Sequence, residues 1–296
     1  MFPKIYLLGT IIDTYNLCMV TSLITTLIAV LMLRPKEIAF KYIFWATIIV
    51  LFFSLLGANL LFIIIHASEY NWQSIEDAFK TSGVAYLGAP ILGLFALWVF
   101  SRCVKIPFLV LADYAAPFFM LDRVIGRIGC LEYGCCYGIP SNLPWAYPFN
   151  SWGIVQIVPR HPTQAYELIY TLAIFASARY FYKKIKSISG AFAINYKEAR
   201  SSGMTFFYVF FCYSLLRFFN EFLRAEGSFI YGAVKISHIV LAIFAIISAI
   251  CLFTIIKKST AKNEILKILK IAVIRLALWF VVSSVLILFA LTLYRK

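Results

Sequence analysis

Three sets of residues in this chain have the types and spacing to handle an anionic, phosphate-bearing group. Arg127 lies between Gly126 and Gly129 in the run GRIG. A guanidinium presents a planar fork of donors that matches two phosphate oxygens, and flanking glycines let a head group or another backbone come close. The same residues also suit a second role, a helix-end arginine snorkelling to the interface beside glycines used for tight helix packing. Arg217, Glu221 and Arg224, in RFFNEFLR, recur at i, i+4 and i+7 and so share one face of a helix. Charges near a bilayer are costly and usually face a bundle interior or a watery cavity. Alternatively, Arg224 reaches the interface while Glu221 neutralises Arg217. The third set is Arg160, His161, Gln164, Tyr166 and Glu167 in RHPTQAYE. Pro162 suits the first turn of a helix, which places Glu167 one to two turns inside it. That carboxylate calls either for a cationic partner or for backbone amides of the preceding loop.

The cysteines add a second chemistry. Of the seven, Cys18, Cys103, Cys212 and Cys251 fall singly in or near apolar runs, as small buried thiols do, whereas Cys130, Cys135 and Cys136 are clustered. Three readings of the cluster stand: a bridge from Cys130 to one of the vicinal pair on an oxidising face, a thiolate favoured by Arg127, or small residues packed in a tight loop. A zinc site would need a fourth ligand. His161 is the only histidine nearby and its spacing matches no standard motif, so the sequence assigns neither metal nor cofactor.

These residues must be positioned by helices in a membrane. The chain is 62% hydrophobic and 14% charged, with mean hydropathy +0.88, too little polar surface to coat a soluble globule. Its apolar runs reach about twenty residues without period-2 alternation, which predicts spanning helices rather than a barrel. The expected class is an all-α integral membrane protein, a polytopic bundle of seven to eight transmembrane helices. Spans are expected at roughly 14–33, 42–66, 83–101, 107–126, 163–182, 204–223, 236–256 and 270–293. The stretch 258–270 reads as an interfacial amphipathic helix or a solvated loop. The first apolar run lacks a small-residue cleavage pattern, so it is expected to persist in the mature chain. Connections after odd-numbered spans carry Arg34, Lys36 and Lys41, then Arg102 and Lys105, then Lys183, Lys184, Lys186, Lys197 and Arg200, then five lysines between Lys257 and Lys270. By the positive-inside rule these are cytoplasmic, which puts the Arg127 segment outside. The net charge of +14 is distributed through these connections and serves topology and anionic lipid, not nucleic acid.

The order of Tyr15, AYLGAPILG at 85–93, DYAAP at 113–117, GRIG followed by Gly134 and Gly138, PW at 144–145, HPTQAYE at 161–167 and RFFNEFLR at 217–224 resembles the bacterial prolipoprotein diacylglyceryl transferases. The resemblance runs from residue 14 to about 256. It implies a seven-span inner-membrane enzyme with its site toward the extracytoplasmic side, in which residues 1–256 form the transferase-like domain. Residues 257–296 would then be an amphipathic segment and an extra C-terminal span. The implied reaction moves a diacylglyceryl group from phosphatidylglycerol to the lipobox cysteine of a preprolipoprotein signal peptide and releases glycerol phosphate. On this resemblance Arg127 and Arg217 are essential arginines, Glu221 and Arg224 their support, and Tyr15 a pocket residue. Tyr86, Gly88, Gly126, Gly129, Gly134, Gly138 and His161 are further substrate-binding candidates. Either Glu167 or Glu221 is a candidate base for the acceptor thiol. The chain also departs from the family. Leu87, Gly88 and Ala89 stand where the family has histidine and two glycines, and Cys130 and Tyr133 stand at its two asparagines. Cys135 occupies the position of its glutamate. The phosphate-binding half of the site is intact in sequence, while the thiol-activating half is altered. A homologue with another acceptor and a non-catalytic lipid-binding protein are the alternatives.

Overall fold

The computed structural model describes residues 4–7, 10–67, 88–151, 154–155, 158–188, 202–225, 229–231, 234–259 and 261–295. Among these residues there are eight helices: α1 (Thr14–Met32), α2 (Phe40–Ile65), α3 (Gly88–Val104), α4 (Phe108–Tyr133), α5 (Thr163–Ile188), α6 (Met204–Leu223), α7 (Ile236–Lys258) and α8 (Lys262–Arg295). Among the described residues there are three antiparallel two-stranded hairpins: β1 (Lys4–Leu7) with β2 (Thr10–Asp13) before α1, and β3 (Asn150–Ser151) with β4 (Ile154–Val155) and β5 (Phe229–Tyr231) with β6 (Val234–Lys235) in the connections. The protein is an all-helical polytopic membrane protein. α1, α2, α6, α7 and the Lys262–Phe289 part of α8 are long and apolar enough to cross a bilayer, and α3 is a shorter apolar helix. On α7 the outward side chains Ile239, Ile243, Ile246, Ile250 and Phe253 recur at helical spacing. A stripe of that kind is stable against lipid and would be a liability in water.

Two elements differ from expectation in extent. α4 continues to Tyr133, beyond the expected end near residue 126, so Arg127 and Cys130 sit in its last turns rather than in a loop. Its C-terminus is closed by Gly134 at φ 80°, whose amide bonds to the Cys130 carbonyl at 3.1 Å. Glycine adopts this left-handed conformation without a Cβ penalty. From Lys262 on, the amphipathic stretch expected at 258–270 and the last span are one continuous helix, α8. In its first turns Ile265, Ile268 and Ala272 are buried in the core, while Glu264 and Lys267 are exposed.

The chain forms two compact units, one of Met1–Thr26 with Asp113–Lys296, the other of Leu27–Ala112. In the smaller unit α2 packs on α3. A Cβ on Gly88 would lie 2.0 Å from the Gly57 carbonyl oxygen, so glycine there lets the two backbones touch. In the larger unit α5 packs against α6 and α8, and α6 against α7. The core between them holds Ile174, Ala178, Phe181, Met204, Tyr208, Leu252 and Ile268. Asp113 of α4 anchors the start of α6: its carboxylate accepts from the amides of Gly203 at 2.6 Å and Phe206 at 2.8 Å. An anion is favoured at a helix N-terminus, where amides lack intrahelical partners. α4 and α5 are less apolar than their neighbours because they carry the polar residues described next.

Candidate active site

Glu167, one turn into α5 and 0% exposed, is the hub. Three guanidiniums reach it: Arg123 touches Oε1, Arg127 Nη2 lies 2.9 Å from Oε2, and Arg217 Nη1 donates to Oε2 at 3.0 Å. The arginines come from α4 and α6, so one carboxylate ties three helices together. The Tyr213 hydroxyl donates to Oε1 at 3.1 Å. Burying an unpaired charge is costly, and this arrangement gives the carboxylate a partner on each oxygen. Arg217 Nη2 also reaches Glu221 Oε2 at 2.8 Å, and Arg224 Nε lies 3.7 Å from the same oxygen. The i, i+4, i+7 face expected from sequence is therefore one connected ionic run. Lys235, from β6, donates through Nζ to the carbonyls of Glu221 at 3.1 Å and Arg224 at 2.7 Å. It thereby covers carbonyls at the C-terminal end of α6, where a cation is favoured.

The loop after α4 is stitched to α5 and α6. Gly138 donates to the His161 carbonyl at 2.8 Å, Ile139 to the Leu223 carbonyl at 2.9 Å, and Ala225 to the Tyr137 carbonyl at 3.2 Å. Thr163 Oγ1 donates to the Cys136 carbonyl at 2.6 Å, and Gln164 Nε2 donates to the Cys135 carbonyl. The HPTQ run thus holds the vicinal cysteines by their backbone. Tyr166 receives the Trp145 indole N–H at 2.9 Å and faces His161 Nδ1 at 3.1 Å, which joins the PW and HPTQAYE motifs. Burial lowers the His161 pKa. The Sγ atoms of Cys130, Cys135 and Cys136 all lie within 4.8 Å of one another, and the three thiols are free. Arg127 links them to the hub, since its Nη1 donates to Cys130 Sγ at 3.5 Å. Hydrogen bonds with the Cys130 and Cys135 thiols hold the Cys136 pKa well below the usual thiol value, helped by Arg224 and Arg127.

The expected site residues divide by what they touch. Arg127, Arg217, Glu221, Glu167 and Arg224 form the ionic network. Gly126 has open space where a Cβ would point. Gly129 serves packing, because a Cβ there would lie 2.7 Å from Cys18 Cβ of α1. Gly138 is likewise closed in, by the Leu223 carbonyl oxygen at 2.4 Å and His161 Cβ at 2.7 Å. Gly88 belongs to the α2–α3 contact, and Tyr86 lies outside the described residues. Tyr15 packs on Tyr133 at 6.0 Å between ring centroids. Glu167 is engaged by cations on both oxygens. Arg123, Tyr213 and Lys235 were not among the residues expected at the site. Arg123 stands four residues before Arg127, a spacing that places both on one helical face.

Comparison with known proteins gives the family. The family profile described as prolipoprotein diacylglyceryl transferase matches residues 3–255. A Dehalococcoides mccartyi protein named phosphatidylglycerol–prolipoprotein diacylglyceryl transferase is 33% identical over 162 residues, 52% of this chain and 59% of that protein. The chain thus aligns with less than two thirds of the length of that relative. Proteins of the same name from Corynebacterium glutamicum and Finegoldia magna are 28% and 29% identical, over 88% and 71% of this chain and 84% and 77% of their own lengths. The profile match takes in α1 to α6, nearly all of α7 and every residue of the ionic network, and on that ground the chain belongs to the prolipoprotein diacylglyceryl transferase family.

Proposed function

We propose that this chain transfers the diacylglyceryl group of phosphatidylglycerol to the lipobox cysteine of a prolipoprotein signal peptide, in the bacterial cytoplasmic membrane and with the site toward the extracytoplasmic side. The observation that carries the reading is the convergence of Arg123, Arg127 and Arg217 on one buried carboxylate. Three guanidiniums around a single carboxylate make a site that favours a further anion, and the buried Nε of Arg127 has no hydrogen-bond partner among the described residues. The phosphate of the donor lipid has the matching charge and acceptor oxygens. In the reaction the acceptor sulfur bonds to the terminal glyceryl carbon while the carbon–oxygen bond to phosphate breaks. The electron pair leaves on the phosphate oxygen and the thiol proton is removed. Negative charge therefore grows where the guanidiniums are already fixed, and preorganised donors stabilise such charge without reorganisation. Glu167 and Glu221 hold those donors in place. The distribution of lysine and arginine among the connections supports the membrane orientation.

The test is to incubate the purified chain in phosphatidylglycerol vesicles with a lipobox-cysteine peptide and follow the diacylglyceryl thioether by mass spectrometry. Product is expected, and Arg127→Ala is expected to lower its rate by about 10²–10³-fold. Retained phosphatidylglycerol binding without product would overturn the reading in favour of another acceptor or a non-catalytic lipid-binding protein.

A further inference from the structure

The thiol-activating half of the site remains to be explained. Both oxygens of Glu167 are engaged by cations, and Glu221 is paired with Arg217. Three thiols instead come together where the chain leaves α4. Cys130 comes from the last turns of α4, and Cys135 and Cys136 follow the turn at Gly134, with their three Sγ atoms within 4.8 Å of one another. Their placement is enforced by backbone. Cys136 has φ 64°, a conformation that costs a non-glycine residue about 1–2 kcal/mol. The carbonyls of Cys135 and Cys136 are held by Gln164 and Thr163, each 0% exposed. Packing of small residues does not require this strain.

We propose that Cys130, Cys135 and Cys136 bind a zinc ion whose fourth position takes the thiol of the acceptor cysteine. Zinc–sulfur bonds of about 2.3 Å in a tetrahedron put the sulfurs about 3.8 Å apart, so the cluster has to close by about 1 Å or less. Three protein ligands with one open position are the pattern of a catalytic zinc site, and a thiol bound to zinc is deprotonated outright. The inference rests on the transferase reading and supplies the removal of the acceptor proton, for which Glu167, with both oxygens on cations, is poorly suited. On binding, the acceptor S–H gives its proton to water. Its sulfur then forms the bond to the glyceryl carbon as the carbon–oxygen bond breaks, and the pair leaves on the phosphate. The zinc stays divalent, and the neutral thioether, a weaker ligand than a thiolate, departs. Arg127 joins the two half-sites, with Nη1 3.5 Å from Cys130 Sγ and Nη2 2.9 Å from Glu167. A phosphate held by the arginines would therefore lie beside a sulfur held by the metal.

The full chain, reduced and reconstituted in phosphatidylglycerol nanodiscs, is loaded with zinc alone and then with cobalt(II). One zinc per chain is expected, with binding at least tenfold weaker in Cys130→Ser, Cys135→Ser or Cys136→Ser and unchanged in the exposed-site control Cys103→Ser. The cobalt form should show tetrahedral thiolate bands that shift on adding a lipobox-cysteine peptide and not on adding its serine counterpart. Should Cys130→Ser fail to fold, the two half-buried cysteines carry the test. Zinc below a tenth of an equivalent, serine variants that bind as well as the parent, a disulfide within the trio in the reduced protein, or bands indifferent to the cysteine peptide each overturn the site. Full transfer by metal-free protein overturns it while leaving the transferase reading intact. A peptide-sensitive metal centre without product supports the site and overturns the reading of its reaction.

Discussion

At the residue scale, Glu167 and Arg127 do different work although they touch. Glu167 organises, because Arg123, Arg127 and Arg217 would repel one another in a buried setting without it. Glu167→Gln is therefore expected to destabilise the fold by about 3–5 kcal/mol, read as a lower thermal midpoint in micelles. Added inorganic phosphate should raise that midpoint more in the variant than in the parent, since an anion can replace the missing charge. Equal midpoints for variant and parent would remove Glu167 from the hub. Arg127 spans two partners with the two ends of one planar group. A lysine has the charge without the fork, so Arg127→Lys should recover little of the transfer rate lost in Arg127→Ala. A lysine variant with near-parent kcat/KM would show that charge alone suffices. From sequence, Arg127 was legible through its flanking glycines, and Arg217, Glu221 and Glu167 through the spacing of charges in short motifs. Arg123 was not, since nothing in its neighbours distinguishes a site arginine from one at a helix end.

At the element scale, helix contacts decide where these side chains meet. α1 lies against α4 at Gly129, where a Cβ would come 2.7 Å from Cys18 Cβ. Gly129→Ala is expected to cost about 1–3 kcal/mol through overpacking and to lower the transfer rate, because Arg127 and Cys130 flank that contact. Cys18→Gly in the same chain should restore much of both losses, and its failure to do so would place the strain elsewhere. Asp113 anchors α6 from α4, with both oxygens on amides at the helix start. Asp113→Ala should cost about 1–2 kcal/mol, measured by thermal unfolding. The glycines of the GRIG run show why motif residues resist interpretation from sequence. Gly126 faces open space whereas Gly129 is enclosed, and only the neighbouring helix makes them different.

At the scale of the whole molecule, α8 belongs to the core even though the family match ends at residue 255. Ile265, Ile268 and Ala272 are buried with Ile174, Ala178 and Phe181 of α5, and the Tyr208 hydroxyl of α6 donates to the Ala272 carbonyl at 3.5 Å. α8 therefore backs the helix that carries Glu167. A chain ending at Lys258 is expected to insert but to unfold at a lower temperature and transfer more slowly. Packing between helices in lipid comes from close contact, and acyl chains do not reproduce it. A truncated chain as stable and as active as the full one would make α8 an appendage.

The amino-acid sequence by itself determined the membrane class, the approximate spans and the ionic face of α6, because lipid admits few backbone solutions and apolar length and helical period are local properties. It also carried the family resemblance, since that resides in the order of motifs. Tertiary structure alone decided that Glu167 is the counter-ion shared by three arginines, that Gly88, Gly129 and Gly138 serve packing, and that three cysteines from a helix end and a turn converge. Those outcomes depend on distances between segments far apart in the chain, and a pattern of residue types along one segment does not encode which other segment will lie against it.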